Sequence, residues 1–260
     1  MSESSFQFSG LNALVTGGTR NIGRGVAEGL ADGGANVAVL GGSDSAALDA
    51  TLASLSERPV SSAGLIQPME DADGVRKAVA DLSEQVGPFD ILVSIAAVRP
   101  STPSSDISLD EWDYVYNVNV RAPFIIAQEI MPGMKERRFG RIVLFSGINF
   151  YIGRETRTHV VSSKGAVVGL TRALASEGAK FGITVITVGP GSIDTERSHP
   201  EWFPNPEKNR ARQLERIPMG RRGTIAEAVA PALFFASPAC SYITGQDLLV
   251  TGGLHPLVQD

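Results

Sequence analysis

Short, continuously apolar runs alternate with longer stretches of helical period from one end of this 260-residue chain to the other. The runs are Ala13–Thr16, Val37–Leu40, Gly64–Ile66, Ile91–Ile95, Ile142–Phe145, Thr184–Val188 and Leu248–Val250. Most are apolar throughout, the pattern of parallel strands covered on both faces. Between them, Asn21–Asp32, Ser45–Glu57, Asp71–Val86, Leu109–Glu136, Thr158–Lys180 and Ile225–Ala236 carry apolar residues at helical spacing. A strand-helix rhythm sustained this long leaves little choice of fold. Right-handed βαβ units wind a parallel sheet of about seven strands between two layers of helices, a three-layer α/β/α arrangement. Neither an internal repeat nor a low-complexity linker interrupts it, so residues 1–260 are expected to form a single domain.

The rhythm breaks once. Residues 191–222 read "GSIDTERSHPEWFPNPEKNRARQLERIPMGRR", rich in proline and charge, with Trp202 beside Phe203. A connection of that length in a compact domain is usually a lid or a binding loop. Adjacent aromatics suit a cover over a small, partly apolar substrate. The competing reading is a surface excursion whose aromatics pack locally. Other partner classes are disfavoured by charge. The net charge is −5, no run of like charge occurs, and "GRRG" at 220–223 is the only basic cluster. Neither nucleic acid nor an anionic membrane is expected as a partner. With Cys240 as the only cysteine, no intrachain disulfide can form, and a reducing compartment fits. The N-terminus has neither a charged n-region nor an apolar core, and no apolar segment approaches the ~20 residues that span a bilayer. The expected location is the cytoplasm.

The first strand runs into "TGGTRNIGRG", residues 16–25, and then into a helix. Glycines there permit a tight turn and close approach to a pyrophosphate, while the helix N-terminus offers amide donors and partial positive charge. Between the first strand and first helix of an α/β chain, such a turn is a dinucleotide signal of Rossmann type. Here the chain resembles the short-chain dehydrogenase/reductase family, and the likeness covers nearly all of it. The family's T-G-x-x-x-G-x-G is matched by Thr16, Gly17 and Gly23, with Asn21 in place of the middle glycine. Asn tolerates a left-handed backbone better than other non-glycine residues, so the turn is expected to survive. Further matches are Asn119 in "YNVNVRAPF", Pro190–Gly191 followed by Thr195, and "YITGQDLLVTGG" near the C-terminus.

The resemblance implies a nicotinamide dinucleotide held by Thr16, Gly17, Thr19, Arg20, Asn21, Ile22, Gly23, Ser43, Ala96, Lys164, Pro190, Gly191, Ile193 and Thr195. Members that prefer NAD(H) place a carboxylate at the end of the second strand, on the ribose 2′-hydroxyl. That stretch reads Leu40-Gly41-Gly42-Ser43 here. Arg20 and Ser43 suit a 2′-phosphate through charge-assisted hydrogen bonds, which favours NADP(H) over NAD(H). Two departures from the family weaken the groove. Pro68 stands where an adenine-contacting Asp is usual, and Ser94-Ile95-Ala96-Ala97 replaces N-N-A-G.

The family's catalytic residues are an Asn, a Ser, a Tyr and a Lys, the last two as Y-x-x-x-K on one helix face. In "RTHVVSSKGAV", residues 157–167, Lys164 is present and Val160 occupies the tyrosine position. Thirteen residues earlier, Gly147 occupies the serine position, and Ser146 lies one residue early, where its side chain should point the other way. Asn119 is kept. A positioned general acid is worth about 10²–10⁴ in rate, and valine cannot donate a proton. His159 and Tyr151 are the candidate substitutes, with Tyr116 further back. His159 lies about 100° from Val160 around a regular helix, so packing competes with catalysis for it. Arg154 and Arg157 either bind an anionic substrate or face solvent.

Three functions follow in order. The first is an atypical NADP(H)-dependent oxidoreductase with a different proton donor. The second is a non-redox enzyme (dehydratase, isomerase, cyclase or hydrolase) on the same scaffold. The third is a non-catalytic NADP(H)-binding protein. The resemblance also implies a homodimer or homotetramer built through the two long helices and the C-terminal strand.

Overall fold

Seven strands lie side by side, all parallel, in the order β3-β2-β1-β4-β5-β6-β7. They are β1 (Asn12–Thr16), β2 (Asn36–Gly41), β3 (Ser62–Ile66), β4 (Ile91–Ser94), β5 (Gly140–Phe145), β6 (Ile183–Pro190) and β7 (Asp247–Val250). The structure, a computed structural model, describes residues 6–196, 202 and 214–255. Alternation along each strand divides its side chains between two cores. Leu14, Ala38, Leu40, Leu92, Ile142, Leu144 and Val185 point to one. Ala13, Val15, Val37, Val39, Ile91, Val93, Val143 and Ile186 point to the other. The strands are mostly apolar because both faces are covered.

Helices α3 (Ala72–Val86), α5 (Ala122–Arg137) and α7 (Thr158–Gly178) cover the first face. Helices α1 (Asn21–Asp32), α2 (Ser45–Ser56) and α8 (Ile225–Ala236) cover the second. Several starts are fixed by side-chain caps, which satisfy amides that a helix leaves without internal partners. Asp44 accepts from Ala47 N (2.9 Å), Asp71 from Gly74 N (3.1 Å), and Thr224 and Glu227 form a capping box on α8. The short α6 (Asn149–Ile152) lies between β5 and α7.

The helix expected over Leu109–Glu136 is divided. Helix α4 (Leu109–Tyr116) gives way to a π-helical turn at Asn117–Arg121 before α5 begins. The wider turn holds Asn119 in contact with the loop after β4, as the site requires. The helix expected over Thr158–Lys180 is α-helical to Gly178 and closes in a 3-10 turn at Ala179–Phe181. Of the expected lid at 191–222, residues 197–201 and 203–213, Phe203 among them, lie outside the described residues. No helix among the described residues is long and apolar enough to cross a membrane.

Because β1 pairs with β2 on one side and β4 on the other, successive connections diverge above this pair and open a crevice at the strands' C-terminal ends. The matched motif residues follow those ends.

Candidate active site

At the floor of the crevice, Thr16 ties β1 to the end of β4. Its Oγ1 accepts from Ile95 N (3.2 Å) and Ala96 N (3.3 Å) and shares a hydrogen bond with Ser94 Oγ (3.1 Å). Gly17 turns the chain with φ 68°. A Cβ there would lie 2.8 Å from Ala96 N, and one on Gly23 would lie 2.0 Å from Gly17 O, so neither position admits a side chain. Asn21 sits at φ 50°, the left-handed backbone expected of it. Its amide does more than tolerate the turn: Nδ2 donates to Glu196 O and Oδ1 accepts from Glu196 N, both at 3.0 Å. The turn is thereby clamped to the segment after β6 that contains Ile193 and Thr195. Gly191 N in that segment donates to Val250 O (2.9 Å) and Ile193 bridges to Gly223.

Helix α1 begins after Arg20, which places no side-chain acceptor on the helix's first amides. These donors, the close Gly17–Ala96 approach and the missing Cβ atoms fit an anionic pyrophosphate. Arg20 is ion-paired with Asp44, which lies one residue past the strand-end stretch Leu40-Gly41-Gly42-Ser43. Ser43 is exposed beside them.

Lys164 and Val160 share one face of α7, and both are buried, at 9% and 4% exposure. Lys164 Nζ donates to Phe145 O (2.8 Å) at the end of β5. Among the described residues no hydroxyl bonds to this ammonium. Burial, with a smaller contribution from the Arg99 charge, pulls Lys164 down to about 7. Asn119 braces the surroundings. Its Oδ1 accepts from Val98 N (2.9 Å), and its Nδ2 donates to Val98 O (3.1 Å) and Ser163 Oγ (3.0 Å). Ser163 Oγ in turn donates to Val160 O (2.8 Å). Ser94, Ala96, Asn119, Phe145 and Lys164 line the space between these elements.

The other candidates are directed elsewhere. His159 is fully buried, with Nε2 at 2.9 Å from Glu111 Oε1, which also accepts from Thr102 Oγ1 (2.7 Å); His159 Nδ1 has no partner. Tyr151 donates from its hydroxyl to Asp247 Oδ2 (2.8 Å), and Ser146 donates to Asp247 Oδ1 (2.9 Å), so one carboxylate engages both hydroxyls. Burial and then the Asp247 carboxylate push the Tyr151 phenol up to about 12, ill-suited to proton transfer near neutrality. Tyr116 stacks on Trp112 with ring centroids 5.2 Å apart. Arg157 is buried and donates to Trp202 O, while Arg154 is exposed. A Cβ on Gly147 would meet only Pro190 O, at 3.8 Å, so a side chain has room there.

The family model described as enoyl-(acyl carrier protein) reductase matches residues 17–255. Gluconate 5-dehydrogenase of Gluconobacter oxydans (strain 621H) is 32% identical over 249 residues, 96% of this chain and 96% of the relative. L-rhamnose 1-dehydrogenase (NADP(+)) of Thermoplasma acidophilum is 36% identical over 252 residues, 95% and 97% of the two chains. A crystal structure of 3-oxoacyl (acyl-carrier-protein) reductase from Agrobacterium tumefaciens C58 with NADP bound superimposes with a TM-score of 0.88 at 30% identity, covering 97% of each chain.

Proposed function

Because the chain belongs to the short-chain dehydrogenase/reductase family, we propose that it is an atypical NADP(H)-dependent oxidoreductase acting on a small carbonyl, imine or activated alkene. Its centre keeps Lys164 and Asn119, with Val160 and Gly147 where the family carries tyrosine and serine. The observation that carries the reading is the intact frame near Lys164: its Nζ donates to Phe145 O, and Asn119 ties Ser163 on the same helix to the Val98 backbone, with a turn shaped for pyrophosphate at the end of β1. When bound, the dinucleotide supplies or accepts the hydride.

The chain's own residues bind and orient. The first amides of α1 and the Gly17–Gly23 turn hold the pyrophosphate, Lys164 faces the nicotinamide ribose, and Arg20 with Ser43 takes the 2′-phosphate after releasing Asp44. NADP in the name of one relative and in the structure of another supports that choice. In the same proposal residues 1–260 form one cytoplasmic domain, and the segment at 191–222 covers the substrate. Subunits pair as a homodimer or homotetramer, to which the exposed Tyr114, Phe124 and Leu248 lend apolar surface; a monomer in sedimentation at micromolar concentration rejects the pairing.

Calorimetric titration with NADPH and NADH, followed by NADPH consumption across carbonyl, imine and enone substrates, tests the function. NADPH is expected to bind at least about tenfold more tightly, and at least one substrate to turn over. Tight binding without turnover leaves a non-catalytic cofactor binder. Product formed without any nicotinamide leaves a non-redox enzyme on this scaffold.

A further inference from the structure

Among the described residues, the hydroxyls of Ser163, Ser146, Tyr151 and Ser94 are each committed to another partner. Ser163 Oγ donates to Val160 O, Ser146 and Tyr151 donate to Asp247, and Ser94 Oγ is bonded to Thr16. His159 is turned to Glu111. There is also the Lys164 ammonium, which gives one hydrogen to the Phe145 carbonyl and, among the described residues, has no partner for the other two. The charged groups on the elements around it do not neutralise it. Glu111 on α4 is held by His159 and Thr102, Asp247 on β7 by Ser146 and Tyr151, and Arg121 in the π-turn donates to Glu70 O. The loop after β4 brings Arg99, a charge of the same sign.

We propose that Lys164 itself is the acid-base catalyst of this centre, giving its Nζ proton to the substrate oxygen or nitrogen in the direction of reduction. The inference rests on the oxidoreductase reading above and supplies the donor that reading lacks. Lys164 matches with a proton the hydride that a reduced nicotinamide supplies. The C=O π bond breaks as the carbon gains its new C–H bond, the oxygen takes the Nζ proton to become a hydroxyl, and the ammonium becomes a neutral amine. Solvent then restores the ammonium. In the reverse direction the neutral amine removes the hydroxyl proton. A side chain that loses its proton near neutrality exchanges it in either direction at working pH. An ordinary lysine, titrating near 10.4, would seldom be found in the base form. The apolar wall at Val160 removes the family's hydroxyl and leaves the amine buried, and that burial sets its acidity.

The test begins without any cofactor. The chain has only five lysines, so Cε signals of ¹³C-lysine-labelled protein can be followed from pH 5 to 11, with Lys164 assigned by its disappearance in Lys164→Arg. The Lys164 signal is expected to titrate near neutrality; a Lys164 midpoint above pH 9.5 overturns the proposal. Because this reading uses wild-type protein, it stands even if the variant folds poorly, in which case Lys164→Met supplies the assignment. The second arm uses a substrate found active with NADPH. Reduction, as kcat/KM, is expected to fall tenfold per pH unit above the Lys164 midpoint. Lys164→Arg, cationic but unable to release a proton, is expected to bind NADPH and lose at least about 10²-fold in kcat. Turnover within threefold of wild type in that variant overturns the donor role and leaves the oxidoreductase standing. Absence of turnover on every substrate with NADPH bound overturns the oxidoreductase and the donor role together.

Discussion

Asp44 does two jobs that a single substitution separates. Its carboxylate caps α2 through Ala47 N and occupies Arg20 across the mouth of the crevice. An anionic 2′-phosphate must compete with that carboxylate for the guanidinium. Asp44→Asn keeps a good cap, since Asn and Asp rank alike at this position, but removes the competing charge. The expected result is tighter NADPH binding by roughly three- to tenfold with NADH unchanged, read by calorimetric titration. These half-exposed groups interact through solvent, so the gain is expected to shrink in high salt. The left-handed Asn21 was legible in the sequence because its backbone preference is local. Asp44 was not, because it lies beyond Ser43, past the strand-end position where such a carboxylate is expected. Nor was the Ser146–Asp247–Tyr151 cluster, in which Asp247 lies about a hundred residues from the other two and meets them only once β7 pairs with β6. Ser163 had a readable signal: with Val160 and Lys164 it completes an i, i+3, i+4 face.

Among the elements, the π-turn at Asn117–Arg121 is the least expected and the most consequential for the site. One extra residue in a turn leaves an apolar pattern almost unchanged, so helical periodicity ran through it as one long helix. Strands and helix starts were legible because continuous apolar runs and capping residues are local signals, whereas the π-turn answers to a partner in another element. That partner is the backbone of Val98, whose N–H and C=O both bond to Asn119. Asn119→Ala leaves these two groups and Ser163 Oγ short of partners. The expected cost is about 2–4 kcal/mol in urea unfolding, on the basis of about 1–3 kcal/mol for each unsatisfied buried group with partial relief by water. A loss below 0.5 kcal/mol would show that the loop after β4 is held by other contacts.

At the scale of the whole molecule, the buried lysine makes folding stability depend on pH. The unfolded chain keeps the Lys164 proton up to about pH 10.4, whereas burial in the folded protein releases it near 7. Between those values the unfolded state holds more protons, so stability rises with pH across the window, and below it the full burden of a buried ammonium is carried. Lys164→Met removes the charge at similar length. The variant, without nucleotide, is expected to be more stable than wild type at pH 6 by up to about 5 kcal/mol, at the usual 1.4 kcal/mol per unit of displacement, and so to melt at higher temperature. The difference should narrow toward pH 10. Equal melting at pH 6 would mean that water reaches the ammonium.

The chain's one sulfhydryl, on Cys240, lies 1% exposed in the cluster beneath α8, where burial pushes the thiol up. While that cluster is closed the molecule presents no nucleophilic sulfur to solvent. Alkylation by a maleimide therefore keeps time with the opening of this side of the sheet. A cysteine engineered anywhere on the exterior becomes a unique anchor for a fluorophore or spin label, with no native residue to remove first.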